Sequence, residues 1–181
     1  RSSPTYRIAW ISLDREDNDP DHFWTYIMAA IQEIQPATGR IGLEMLASKS
    51  RPPLKSIVSA FINGITEAPE NLALILDDYH LIDTPAVHET LIFLLDHMPR
   101  QLHLVIAGRA DPPLPLARLR GRGQIAELRS ADLRFTLEET RAFLNESKGL
   151  SLSNESLSAL EHRTEGWIAS LQMAAVSLQG R

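Results

Sequence analysis

Asp77 and Asp78 stand side by side directly after an apolar run, Leu72–Leu76 (LALIL). Two carboxylates at the end of a buried strand can hold a divalent cation and orient an attacking water. Adjacent residues on an ending strand point to opposite sides, so the pair can divide those tasks. The same two residues are equally good at closing a turn, because Asp favours turns. A second apolar run, Leu102–Ala107, leads into Gly108-Arg109. A guanidinium at such a strand end has the charge and the planar donors to bind a phosphate. A surface arginine after a strand has the same sequence appearance.

These side chains need elements that carry them to one place. Strand-like runs fall at Arg7–Leu13, Leu72–Leu76, Leu102–Ala107 and Gln124–Leu128. The middle two are almost unbroken apolar, as suits strands buried on both faces of a parallel sheet. Helical stripes lie between them. Asp21–Gln35 aligns Phe23, Ile27, Ala30, Ile31 and Ile34. Leu54–Thr66 aligns Leu54, Ile57, Val58, Phe61, Ile62 and Ile65, and Pro85–His97 aligns Val87, Leu91, Leu94 and Leu95. This alternation predicts an α/β fold with parallel strands and right-handed crossovers. Beyond residue 130 three helices, Thr136–Ser147, Asn154–Thr164 and Trp167–Leu178, follow without a strand. Thr136 and Glu139 have capping-box spacing, and Ser153 with Ser156 half resembles it. The expected organisation is an α/β core over residues 1–134 and a helical subdomain over residues 135–181.

Composition narrows the function classes. The 181 residues are 44% hydrophobic and 23% charged, ordinary for a globular chain, with a net charge of −5 that gives no reason to expect a polyanion as main partner. No cysteine is present, which excludes disulfides and thiolate zinc sites. No apolar run reaches the roughly 18–20 residues that span a bilayer. The expectation is a soluble, cytoplasmic protein without membrane contact. The chain begins without methionine, close to a strand-like run, and reads as a piece of something longer.

Four stretches together carry a family resemblance: AWISLDREDNDPDHFWTYIMAAIQ, LALILDDYHLID, VIAGRADPPLPLARLRGRGQIAELRSADLRFTLEET and TEGWIASLQMAA. In this order, covering most of residues 7–178, they resemble the large ATP-binding LuxR-type (MalT-like) transcriptional regulators, which are signal-transduction ATPases with numerous domains. The resemblance implies a P-loop NTPase-like parallel sheet followed by a helical lid from about Phe135. It implies that Asp77 and Asp78 are Walker B acids, Asp77 on the magnesium side and Asp78 on the water side. It makes Arg109 a phosphate sensor and turns Gly166 and Trp167 toward the nucleotide. Family members often carry Ser where this chain has Gly108, so a hydroxyl is lost beside Arg109.

The family's phosphate loop, Gly-x-x-x-x-Gly-Lys-Ser/Thr, precedes the first strand seen here. The lysines of this chain are Lys49, Lys55 and Lys148, and none has that setting. Such a loop cradles phosphates with backbone N–H groups. The resemblance therefore implies ATP and magnesium in an intact parent, with none bound to this stretch and no ATPase activity from it alone. It further implies self-association through the ATPase domain and DNA binding by a downstream helix-turn-helix outside this sequence. The competing reading is a catalytically silent interaction module that keeps the fold without nucleotide. Another P-loop relative, such as an archaeal-type ATPase, is a third, and the LRSADLRFTLEET and TEGW stretches argue against it.

Other motifs carry less. Asp17, Asp19 and Asp21 alternate as in a calcium loop, but His22 and Met28 stand where an EF-hand needs Gly and Glu. Asp19 or Asp17 is better read as a helix cap. Arg118, Arg120, Arg122 and Arg129 make a basic loop with no interleaved aromatic residue, read as solvated or partner-facing. His80 and His88 lack the spacing of a helical metal pair.

Overall fold

The alternating pattern becomes a three-stranded parallel sheet in the computed structural model, which describes residues 5–179. The strands are Tyr6–Ser12 (β1), Asn71–Asp77 (β2) and Leu102–Ile106 (β3), with β2 in the middle. Trp10 pairs with Ile75, which pairs with Val105; Leu76 pairs with Ile106. Four helices connect the strands: Pro20–Ile34 (α1), Pro36–Leu46 (α2) and Leu54–Thr66 (α3) between β1 and β2, then Pro85–Asp96 (α4) between β2 and β3.

Strand order here equals chain order. Right-handed crossovers in such a sheet put every connecting helix on the same face. The burial pattern agrees. Ala9, Ile11, Leu72, Leu74 and Leu76 share one core with Trp24, Ile27, Phe61, Val87 and Leu91. The opposite face is bare: Ile8 is 57% exposed, Trp10 63% and Val105 47%. The expectation of strands buried on both faces is thus met on one face only, because the helices of the first unit pack together on that face.

Local chemistry sets the helix limits. Asp19 caps α1, its carboxylate accepting from the Asp21 and His22 N–H groups at 2.9 and 3.0 Å, and Pro20 occupies the first turn. α2 was not expected from sequence. It lies so close to α1 that a Cβ on Gly39 would sit 2.3 Å from the Met28 carbonyl oxygen, so only glycine permits the approach. The fourth strand-like run, Gln124–Leu128, does not form a strand, and Leu128 is 79% exposed. A short apolar run needs a neighbouring strand for its backbone hydrogen bonds, and the described residues offer none there.

The chain packs as two compact units, the first ending at Arg118 and the second beginning at Leu119. A short helix, Leu116–Gly121 (α5), is followed by Leu137–Arg141 (α6), Asn154–Thr164 (α7) and Ile168–Gln179 (α8). Leu144, Leu157, Leu171 and Ala175 form the core of the second unit, with Phe135 and Phe143 packed against it. Thr136 caps α6 in a full capping box with Glu139, and Ser153 caps α7 through the Ser156 N–H. α6 runs on into a π-helical turn over Ala142–Ser147. Asn145 bonds both the N–H and the carbonyl of Leu152 there, tying the wide turn to the loop that follows. No described helix is long and apolar enough to cross a membrane.

Candidate functional site

β2 is the middle strand, and it delivers Asp77 and Asp78 to the carboxyl edge of the sheet, where ligands bind in open α/β folds. The edge is rigidly stitched. The Leu13 N–H donates to the Asp77 carbonyl at 3.0 Å, joining the exit of β1 to β2. The Ala107 N–H donates to the Leu76 carbonyl at 2.9 Å, and the Tyr79 N–H donates back to the Ala107 carbonyl at 3.0 Å. β3 and the turn after β2 are therefore locked together.

Asp77 and Asp78 differ in character. One carboxylate oxygen of Asp77 accepts the Asp78 N–H at 2.9 Å, which leaves its other oxygen without a hydrogen bond among the described residues. Asp78 is left-handed, with φ 55° and ψ 30°, a conformation that costs a non-glycine residue on the order of 1 kcal/mol. Its side chain is half exposed and lies 3.8 Å from His80 Nδ1. Strained backbone of this kind concentrates at functional sites. Tyr79, next along, is buried, and its hydroxyl lies 2.8 Å from His88 Nδ1 in α4. Burial pushes the Tyr79 pKa up and the His88 pKa down; Asp83 pulls His88 weakly the other way. A Tyr–His pair of this kind anchors the turn in the core.

Arg109 leaves the neighbouring strand on the same sheet edge and is exposed, with no ion pair among the described residues. Gly108 precedes it, and a Cβ there would come within 3.3 Å of the His80 nitrogen. The turn after β2 thus passes close to position 108. Asp77, Asp78 and Arg109 are brought to one edge.

Gly166 and Trp167 belong to the second unit. Glu165 and Gly166 are both left-handed, with φ 51° and 71°. The Gly166 carbonyl accepts the Phe135 N–H at 2.8 Å, and a Cβ on Gly166 would lie 2.5 Å from the Phe135 oxygen. Trp167 is 38% exposed. The Arg134 guanidinium lies 5.8 Å from its ring centre and pairs with Glu165 at 3.1 Å. Arg134 is a feature of this turn that sequence reading passed over.

The residues suit a magnesium ion bound together with phosphates. Two carboxylates stand at the edge, one with an open oxygen, and no described group of three or more His, Asp or Glu forms a cage of its own. Magnesium takes one or two carboxylates and completes its shell with water and phosphate oxygens. The calcium-like loop has other duties: Asp17 is buried and accepts the Asp14 N–H at 2.8 Å, while Asp19 caps α1. Arginines of the basic loop are paired, Arg118 with Asp96 and both Arg120 and Arg129 with Glu127. Hydrogen bonds from Arg120 and then Arg129 hold the Glu127 carboxyl down at about 2.

Sequence reading also missed Asn18, in the loop between β1 and α1. Its Oδ1 accepts from the N–H groups of Asp83 and Thr84 at 2.8 and 3.1 Å and from the Thr84 hydroxyl at 3.2 Å. Its Nδ2 donates to the Leu81 carbonyl at 2.9 Å and the Arg15 carbonyl at 3.3 Å. The only local signal was an Asn among acids before a helix-starting Asp-Pro; partners some 65 positions away leave none.

No family model matches the chain. Homologous segments occur in curated proteins. The HTH-type transcriptional regulator MalT of Yersinia enterocolitica is 37% identical over 173 residues, which is 94% of this chain and 19% of that protein. MalT of Serratia proteamaculans is 33% identical over 171 residues, again 94% of this chain. The serine/threonine-protein kinase PknK of Mycobacterium tuberculosis is 31% identical over 173 residues, 96% of this chain and 16% of the kinase. The chain thus spans less than a fifth of the length of these relatives.

Proposed function

We propose that this chain belongs to the MalT-like regulators and is part of a nucleotide-dependent switch module, in which ATP binding and hydrolysis control the output of other domains. The observation that carries the reading is the left-handed, half-exposed Asp78 beside Asp77 at the carboxyl end of the middle parallel strand. Similarity to both an HTH-type regulator and a protein kinase supports it. A segment shared by proteins with such different outputs is better suited to switching than to either output.

In this reading Asp77 contributes a carboxylate oxygen to magnesium, Asp78 orients the attacking water, and Arg109 faces the terminal phosphate. Bound magnesium would neutralise phosphate charge. The proposed role of the helical second unit is that of a lid, with Gly166 and Trp167 as its proposed nucleotide contacts. The phosphate loop comes from residues preceding this sequence. Two features of the sheet favour that source. β3 presents a free edge among the described residues, and one sheet face is bare. A strand–loop–helix unit from earlier in the chain, paired along β3, would reverse the strand order and send its helix over the bare face. Such a reversal is where open α/β sheets bind ligands. DNA binding through a separate domain is proposed for the intact parent from the HTH-type regulators it resembles, and self-association through the switch module is proposed beside it.

A magnesium-ATP titration tests this, run on the 181 residues and on a chain extended upstream by about 40 residues, the reach of one strand–loop–helix unit. Binding to the longer chain only is expected. Asp78→Asn in the longer chain is expected to bind ATP and lose hydrolysis. Absence of binding in both would favour the catalytically silent interaction module, for which the bare apolar face would be the working surface.

A further inference from the structure

We infer that Asn18 is a positioning residue for Asp78; the inference rests on the proposed role of the acid pair. The segment from Asp78 to Thr84 is a strap running from the end of β2 to the start of α4. Its near end is held by the Tyr79 N–H on Ala107 and by the buried Tyr79 ring. Its far end has no strand or helix ladder to hold it. Asn18 supplies that anchor: one side-chain amide satisfies the Leu81 carbonyl and the Asp83 and Thr84 N–H groups together. These groups come from another loop, at separations of 63 to 66 residues. Asn18 is half-buried, and its bonds to the Leu81 carbonyl and the Thr84 N–H are partly shielded from water.

The consequence falls on Asp78. Its carbonyl accepts the Leu81 N–H at 3.0 Å, so the turn held by Asn18 is the turn that fixes its backbone. Left-handed φ is unfavourable for aspartate and persists only where the surroundings enforce it. Asn18 and the Tyr79 anchor enforce it from the two ends. Losing Asn18 frees the far end, Asp78 relaxes toward right-handed or extended φ, and its carboxylate leaves the direction it needs. Asn18 touches no reacting atom in this arrangement; it acts through the strap.

Asn18→Ala and Asn18→Asp separate the elements of this inference. The aspartate keeps the oxygen that accepts the Asp83 and Thr84 N–H groups and loses only the Nδ2 donor. The first measurement is made on the 181-residue chain by NMR: the backbone shifts of Asp78, which report left-handed φ, and amide exchange at Asp83 and Thr84. Wild type and Asn18→Asp are expected to keep the left-handed signature and slow exchange. Asn18→Ala is expected to lose the signature and speed exchange about tenfold or more, as hydrogen bonds of roughly 1 kcal/mol each disappear. A left-handed Asp78 in Asn18→Ala overturns the inference. Loss of the signature in Asn18→Asp overturns the assignment of that hold to the Oδ1 bonds, and it decides that point if the alanine variant does not fold.

The second measurement uses the longer chain. Asn18→Ala is expected to lower kcat for ATP hydrolysis by up to about a hundredfold with KM little changed, the pattern of a displaced group rather than lost binding. Asn18→Asp is expected to restore most of kcat. Equal loss in both variants, or a loss confined to KM, overturns the positioning role. If the wild-type longer chain hydrolyses nothing, the ATPase reading fails, and the NMR result still decides whether Asn18 sets Asp78.

Discussion

Replacing Thr90 by valine tests how α1 and α4 are held together beneath the sheet. The Trp24 indole Nε1–H donates to the Thr90 hydroxyl at 2.8 Å, and both side chains are buried. The hydroxyl also donates within α4, to the Ala86 or Val87 carbonyl at 2.9 or 3.0 Å. Valine keeps the shape of threonine but strands the indole N–H in the core, at about 1–3 kcal/mol. The added methyl regains less than about 1 kcal/mol. The carbonyls of Ala86 and Val87 remain free to accept within the helix, so their share is small. Thr90→Val is therefore expected to cost about 1–2 kcal/mol. Thr90→Ser keeps the hydroxyl and loses one methyl, a cost of about 0.8 kcal/mol. The more apolar substitution is expected to be the worse one. With Trp24→Phe no N–H remains to be stranded, so valine there should cost close to nothing. The double-mutant cycle should then give a coupling of about 1–2 kcal/mol. Native-state hydrogen exchange at the β2 amides, with urea unfolding beside it, reads the first unit without interference from the second. Valine as stable as serine, or a cycle that closes at zero, would falsify the stranded-donor reasoning.

Gly166→Ala forces a Cβ to within 2.5 Å of the Phe135 oxygen at φ 71°. It should cost the second unit about 2–3 kcal/mol, read as faster exchange in α7 and α8. Gly39→Ala should cost the first unit about 3 kcal/mol in chemical unfolding, since its Cβ meets backbone of α1 at 2.3 Å and α2 must move away. His88 makes stability pH-dependent. Its folded pKa is lowered by burial, so the unfolded chain binds the proton more readily. Its contribution is complete above the unfolded value of about 6.5 and is lost as pH falls below it. His88→Gln should flatten that part of the pH profile, measured as urea midpoints between about pH 7.5 and 5.

Much of the fold was legible along the chain because it is locally specified. α3 falls where its apolar stripe placed it, α7 spans the residues expected for it, and the three strands match their runs to within a residue or so. The caps at Asp19, Thr136 and Ser153 bond to groups two or three residues away, a distance that sequence spacing encodes. The acid pair was legible for the same reason, standing directly behind its strand. α2 was hidden because its glycines weaken helix propensity, and they earn their place only against α1. Gln124–Leu128 has the composition of a strand, yet composition says nothing about whether a neighbour is there to pair with.

The sequence by itself determined the periodicities, the caps and the position of the carboxylates, since each depends on residues a few places apart. Tertiary structure alone decided three things. It bent Asp78 into a left-handed turn, set Asn18 across some 65 residues to hold the strap behind it, and left one face of the sheet bare. The physical reason is common to all three. Each arises from satisfying backbone groups or burying apolar faces against partners that only folding brings near, and a linear pattern carries no record of which partner that is.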